Sequence, residues 1–189
     1  QIVNCWVCEL PNSIELIGGE NIVVKNCQLG AQPTGITCKV QEVNKLSFIN
    51  NQVYPDGREN LVLDACNNCV IEGNNFKSYY NGILVLNGND NTVNKNIFWL
   101  TGAVQNQLLD HGDDFGIINV KGNNNMVASN SLSCEWAYAG AVTVNAVQGT
   151  GNVFKNCFVD NLESYRVFLV NAQTEVSNCV SSDKVSIVE

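Results

Sequence analysis

Residues 71–98, IEGNNFKSYYNGILVLNGNDNTVNKNIF, hold two versions of one phrase: IEGNNF at 71–76 and VNKNIF at 93–98. In each, an aliphatic residue runs into a polar turn containing asparagine, and a phenylalanine follows. Between them lies GILVLNG, a short aliphatic run closed by asparagine and glycine. Working outward, related phrases recur as FINNQV at 48–53 and VASNSL at 127–132, and four Asn-Cys pairs recur at Asn4-Cys5, Asn26-Cys27, Asn156-Cys157 and Asn178-Cys179. With Asn4, Asn26, Asn50, Asn74, Asn96, Asn130, Asn156 and Asn178 as markers, successive spacings are 22, 24, 24, 22, 34, 26 and 22 residues. A period in this range is the mark of a solenoid.

Each period carries short runs such as NIVVKN, NLVLD, GIINVKG and GAVTVNA, closed by Gly, Asn or Asp. The alternation suits strands and the closing residues suit turns, while no window holds a helical period. The expected fold is an all-β, right-handed parallel β-helix of 22–26-residue coils with about three short strands per coil, forming a single domain over 1–189. Its start reads as cut from something longer, without a capping element or the earlier coils. In such a stack, an asparagine at the same corner of each coil bonds to the coils above and below, a structural role. The cysteines beside several of these asparagines read as small apolar members of the same ladder.

The 189 residues are 45% hydrophobic and 15% charged, enough for one large core. Ten Lys and Arg against eighteen Asp and Glu give a net charge of −8 with no basic cluster, which argues against nucleic acid and anionic membrane partners. Nine scattered cysteines and one histidine make a poor zinc set and read instead as buried free thiols, which favours a reducing, cytoplasmic setting. No metal is expected. The 34-residue interval contains FWLTGAVQNQLLDHGDDFG, which carries the single histidine and three acidic residues. A loop of this kind either forms part of a binding face or covers a sheet edge.

GNNNMVASNSLS at 122–133, preceded by DDFGIINVK and FKSYYNGILVLNGNDNTVNKNIF, resembles the inulin fructotransferase family, which includes the difructose-anhydride hydrolases. The likeness extends to VQGTGNVFKNCFV at 147–159 and CELPNSIEL at 8–16, so it runs the length of the chain while matching the C-terminal portion of a family member. The resemblance implies a parallel β-helix assembled as a homotrimer with its active site between subunits. It also implies activity on inulin or a difructose dianhydride, and no cofactor. The family's catalytic Asp and Glu stand eleven residues apart; the Glu falls on Glu15, and Asn4 stands where the family has Asp. Glu9 matches a further acidic position between them.

Cleaving a fructosyl ketal bond requires an acid for the leaving oxygen and a base for the attacking hydroxyl, roles that two carboxylates divide. An amide at position 4 cannot accept the proton. Three readings of Asn4 stand: an inactivating substitution, a divergence in which Glu9 or a loop aspartate takes over, or a register one or two residues off. Substrate-binding candidates are the aromatics Trp6, Tyr79, Tyr80 and Trp99, which can stack on sugar rings, with Trp136 and Tyr138 behind them. Arg58, His111, Asp113 and Asp114 are polar candidates. The expected function is a fructan-active enzyme, whether synthase or hydrolase; the alternative is a catalytically silent β-helix that binds carbohydrate or serves assembly.

Overall fold

The computed structural model describes residues 1–80, 82–101, 114–134, 142–160, 166–180 and 185–188. Within them the chain winds through β1 (Ile2–Val3), β2 (Trp6–Leu10) and β3 (Ile14–Glu20), then β4 (Val23–Lys25), β5 (Gln28–Ala31) and β6 (Ile36–Asn44). The third and fourth coils are β7 (Ser47–Ile49), β8 (Gln52–Val53) and β9 (Glu59–Asp64), then β10 (Val70–Glu72), β11 (Asn75–Ser78) and β12 (Leu84–Asn87). The fifth and sixth are β13 (Thr92–Asn94), β14 (Ile97–Leu100) and β15 (Ile118–Val120), then β16 (Met126–Ala128), β17 (Ser131–Cys134) and β18 (Val142–Ala146). Strands β19 (Val153–Lys155), β20 (Phe158–Asp160) and β21 (Arg166–Asn171) complete a seventh, and β22 (Glu175–Ser177) and β23 (Val185–Val188) belong to an eighth.

Each strand pairs in parallel with its counterparts in the neighbouring coils, giving sheets of eight, seven and eight strands. This is the expected parallel β-helix. Strand alternation sends one set of side chains inward. On the third sheet these are Cys38 and Val40, Leu61 and Leu63, Leu84 and Leu86, and Ile118 and Val120, all buried. Phe48, Phe76 and Phe98 stack along the axis with ring centroids 6.1 and 5.0 Å apart.

The asparagine markers separate into two neighbouring columns, which corrects the single ladder expected from the sequence. Asn4, Asn26, Asn50, Asn156 and Asn178 are corner residues with φ between 51° and 56°, a left-handed conformation that asparagine tolerates better than most residues. The next position inward forms the buried column: Cys27, Asn51, Asn74, Asn96, Asn130 and Cys157. There the N–H of Asn51 donates to Asn74 Oδ1 (2.8 Å), that of Asn74 to Asn96 Oδ1 (2.9 Å) and that of Asn96 to Asn130 Oδ1 (2.9 Å). Each Nδ2 also reaches the carbonyl of the preceding coil, as from Asn74 to Phe48 (2.8 Å).

A second buried column runs through the opposite corner, from the N–H of Cys69 to Asn91, then Asn125, then Asn152. These amides satisfy backbone groups that water cannot reach. The cysteines that share the columns take the place of an amide with a compact apolar group, as expected.

The 34-residue interval is real, since Thr92 pairs with Met126 and Ile97 with Ser131. The additional chain leaves the sheets between Leu100 and Ile118, and residues 102–113 within it lie outside the described residues.

Candidate functional site

Strand β2 carries an irregularity that re-aims a carboxylate. Val7 pairs with Leu29 and Leu10 with Ala31, so Cys8 and Glu9 together oppose Gly30. The additional residue makes a β-bulge, a device that bends a strand and redirects a side chain. Glu9 takes the left-handed conformation within it, at φ 64°. Its carbonyl accepts from Gln32 Nε2 at 3.2 Å, and the N–H of Gln32 donates to Leu10 O at 2.9 Å, which fixes the 32–35 turn against the bulge.

Two hollows open on either side of Glu9. One, of about 430 Å³, is lined by Glu9, Ala31, Gln32, Pro33 and Asp56. The other, of about 290 Å³, is lined by Trp6, Cys8 and Glu9. Gly30 lets them approach: a Cβ there would lie 3.3 Å from Tyr54 Cβ, 3.5 Å from Cys8 Sγ and 3.8 Å from Asp56 Oδ2. Trp6 stands 77% exposed at the rim and donates its indole N–H to Cys8 Sγ at 2.9 Å. Two carboxylates, an amide and an exposed indole therefore share one surface across the first three coils. Such a set offers hydrogen bonds to sugar hydroxyls and a flat face for a ring.

The other expected site residues are dispersed. Glu15 faces out from β3, where Lys39 Nζ reaches its Oε1 at 3.0 Å. That hydrogen bond, followed by the ammonium charge, holds the Glu15 carboxyl below the usual carboxylate range. Asn4 stands at the corner between β1 and β2, its N–H donating to Lys25 O at 3.0 Å, with the whole of β2 between it and Glu15.

Arg58 Nε lies 3.8 Å from Glu59 Oε1. Tyr79 is exposed, and Tyr80 donates its backbone N–H to Ser78 Oγ at 3.0 Å. Trp99 is half-buried on the outer face of the second sheet, with Lys77 Nζ 4.7 Å from its ring centroid. Asp114 is clamped by Arg166 NH1 at 2.7 Å, and its carbonyl accepts from Asn145 Nδ2 at 2.6 Å, so the end of the long loop is tied to a strand two coils on. His111 and Asp113, like Trp136 and Tyr138, lie outside the described residues.

Asp56 and Gln32 are the residues that sequence reasoning missed. Their signal, the Pro-Asp-Gly turn and the Gln-Pro turn one coil before it, reads as turn chemistry alone until the coils are stacked.

The nine thiols are free, and Cys27, Cys38, Cys66, Cys69, Cys157 and Cys179 are buried. Burial pushes Cys69 up to about 11 and raises Cys66 as well. Among the described residues no three His, Cys, Asp or Glu side chains converge as a metal-binding group. A protonated thiol in an apolar column is a poor metal donor, since the ligand is the thiolate.

Solved structures of DFA-IIIase from Arthrobacter chlorophenolicus A6 share the fold. The form without its lid matches with TM-score 0.81 and 23% identity over 97% of this chain and 48% of that one. The complex with GF2 matches with TM-score 0.80 and 22% identity over 97% and 49%. The complex with DFA-III matches with TM-score 0.76 and 22% identity over 97% and 51%. The resemblance read from the sequence thus leads to the same proteins, and at this identity the likeness is one of fold. The chain spans about half the length of the solved structures it matches. No curated protein matches the sequence. The family model described as "Periplasmic copper-binding protein (NosD)" matches residues 2–176, nearly the whole chain, and the protein belongs to that family.

Proposed function

We propose that the protein recognises a short fructose-containing saccharide in the hollows around Glu9 and acts on its ketal linkage, with Glu9 and Asp56 as the working carboxylates. The observation that carries this reading is the bulge that turns Glu9 into a hollow shared with Asp56, beside an exposed Trp6. The DFA-IIIase structures that hold GF2 and DFA-III support the ligand class, since they share this fold. In the reaction, one carboxylic acid protonates the leaving oxygen as positive charge builds on the anomeric carbon. The other removes the proton from the attacking water or hydroxyl.

Glu15 enters differently. Lys39 keeps it ionised, so at this position it suits a base or a charge stabiliser rather than an acid. A cleft between subunits of a trimer, as the resemblance implies, would bring Glu15 toward substrate from a neighbour. Among the described residues no three potential ligands converge and the buried thiols of Cys66 and Cys69 are held protonated, so these residues do not fit copper, and no step here uses a metal.

The test is product chromatography after incubation with DFA-III, and separately with GF2, for the wild type and for Glu9→Gln, Asp56→Asn, Glu15→Gln and Asn4→Asp. Loss of about 10²- to 10⁴-fold in rate for the first two variants is expected. Full activity in both, with loss in Glu15→Gln, would move the chemistry to the third sheet. The amide at position 4 favours a second reading, a saccharide binder without turnover. It predicts a ligand-dependent rise in melting temperature and no product from any variant.

A further inference from the structure

We infer that Cys157 and Cys179 form a redox clasp: two thiols stacked in consecutive coils that hydrogen peroxide closes into a disulfide, locking the eighth coil to the seventh. The pair continues the buried asparagine column. Lys155 pairs with Ser177, so two residues further on Cys157 stands over Cys179. The N–H of Cys157 donates to Cys179 Sγ at 3.4 Å, and both residues are buried, at 2% and 6% exposure. Neighbouring parallel strands lie about 4.8 Å apart, inside the 4.4–6.8 Å separation of Cα atoms that a disulfide bridges.

In the rest of the column the amide of each asparagine fills this gap. Here Cys179 Sγ takes the place of the amide oxygen as acceptor of the N–H above it. The contact also divides their acidity: Cys179 is drawn down because the Cys157 thiol and amide donate to it, and Cys157 is raised by the same contact and by burial. Cys179 is therefore the first nucleophile. Its thiolate attacks one peroxide oxygen, the O–O bond breaks, and the departing hydroxide leaves as water with the thiol proton. The Cys157 sulfur then attacks the sulfenic sulfur, the S–O bond breaks, and a second water carries off the Cys157 proton. Two thiols are oxidised and one peroxide is reduced to two waters.

The clasp would add a covalent link to two coils joined by the β19–β22 and β21–β23 pairings. The eighth coil is held by β22 and β23, and Val180, Ile187 and Val188 are exposed. A cross-link between residues 157 and 179 closes a short loop and stabilises the coil chiefly by restricting its unfolded chain.

The experiment treats the native wild-type protein with hydrogen peroxide, alkylates it after unfolding, and maps its peptides without reduction. The expected result is a linked pair of peptides containing Cys157 and Cys179, seven alkylatable thiols in place of nine, and a melting temperature raised by about 5–10 °C that a reductant reverses. In Cys157→Ala the chemistry should stop at a sulfenic acid on Cys179, trapped by dimedone. Both thiols still alkylatable after treatment, or Cys179 advancing to sulfinic acid in the wild type without a link, would overturn the clasp. The wild-type map decides the matter alone if the variant does not fold.

Discussion

Asn74 shows how much one side chain carries in this fold. Its Oδ1 accepts from the N–H and the Nδ2 of Asn51, and its own Nδ2 donates to Phe48 O and Asn96 Oδ1. Asn74→Ala would strand the Asn51 N–H away from water, at about 1–3 kcal/mol, and would remove the second hydrogen bond from the Phe48 carbonyl and that to Asn96 Oδ1. A loss of about 3 kcal/mol in denaturant-induced unfolding is the expected outcome. Asn50, one residue from the column in the coil before, should behave differently: its corner conformation suits glycine, so Asn50→Gly should change stability by less than about 1 kcal/mol. The sequence shows an asparagine at each turn but not which of two neighbouring positions faces inward. Both a left-handed corner and a buried ladder select the same residue, for unrelated reasons.

Glu15 gives a pH prediction at the same scale. Its pairing with Lys39 lowers its pKa, so the pair's contribution to stability is present above the ordinary glutamate range and is lost as pH falls through the depressed value. Lys39→Met should return the Glu15 carboxyl to an ordinary titration, read by carbon NMR, and the effect on stability should be small because the pair is exposed.

At the scale of the element, the corners decide more than the strands. Gly88 and Gly122 stack so closely that a Cβ on Gly122 would stand 1.7 Å from Gly88 O, a backbone atom that cannot step aside. Gly122→Ala should therefore cost about 3 kcal/mol and lower the melting temperature by several degrees, measured by calorimetry. The strands themselves were legible, because inward and outward residues alternate in runs such as Leu61-Val62-Leu63. The bulge at Glu9 was not. A single additional residue in β2 shows only against its neighbour β5, and the hollow needs Asp56 from a third coil as well. Sequence could point to the acidic residue without saying where the strand would aim it. The long loop gave the reverse case: its position and length were plain, while the partner of Asp114 lay 52 residues away at Arg166.

For the molecule as a whole, stability is distributed by layer. In a solenoid each coil gains mainly from the coils next to it, so layers with fully buried strands should hold longest and layers with exposed strands should open first. The Phe48, Phe76 and Phe98 stack lies in the third to fifth coils, the coils of the uninterrupted Asn51, Asn74 and Asn96 amide column. Native-state hydrogen exchange should find the amides of Leu61 and Leu84 among the slowest and those of β22 and β23 among the fastest. Uniform protection would contradict a layered architecture. The overall fold was readable because the same corner chemistry must be repeated at every layer, which makes the period visible even where the strands are three residues long.

The coil that breaks that period has a consequence of another kind. Thr92 still meets Met126 and Ile97 still meets Ser131 although 34 residues separate each pair, so the sheets on both sides are indifferent to how much chain leaves at that corner. Length can therefore be added or trimmed there by small inherited steps, each giving a foldable protein. A lineage built on this scaffold can explore new surfaces at one corner without ever rewriting the rest.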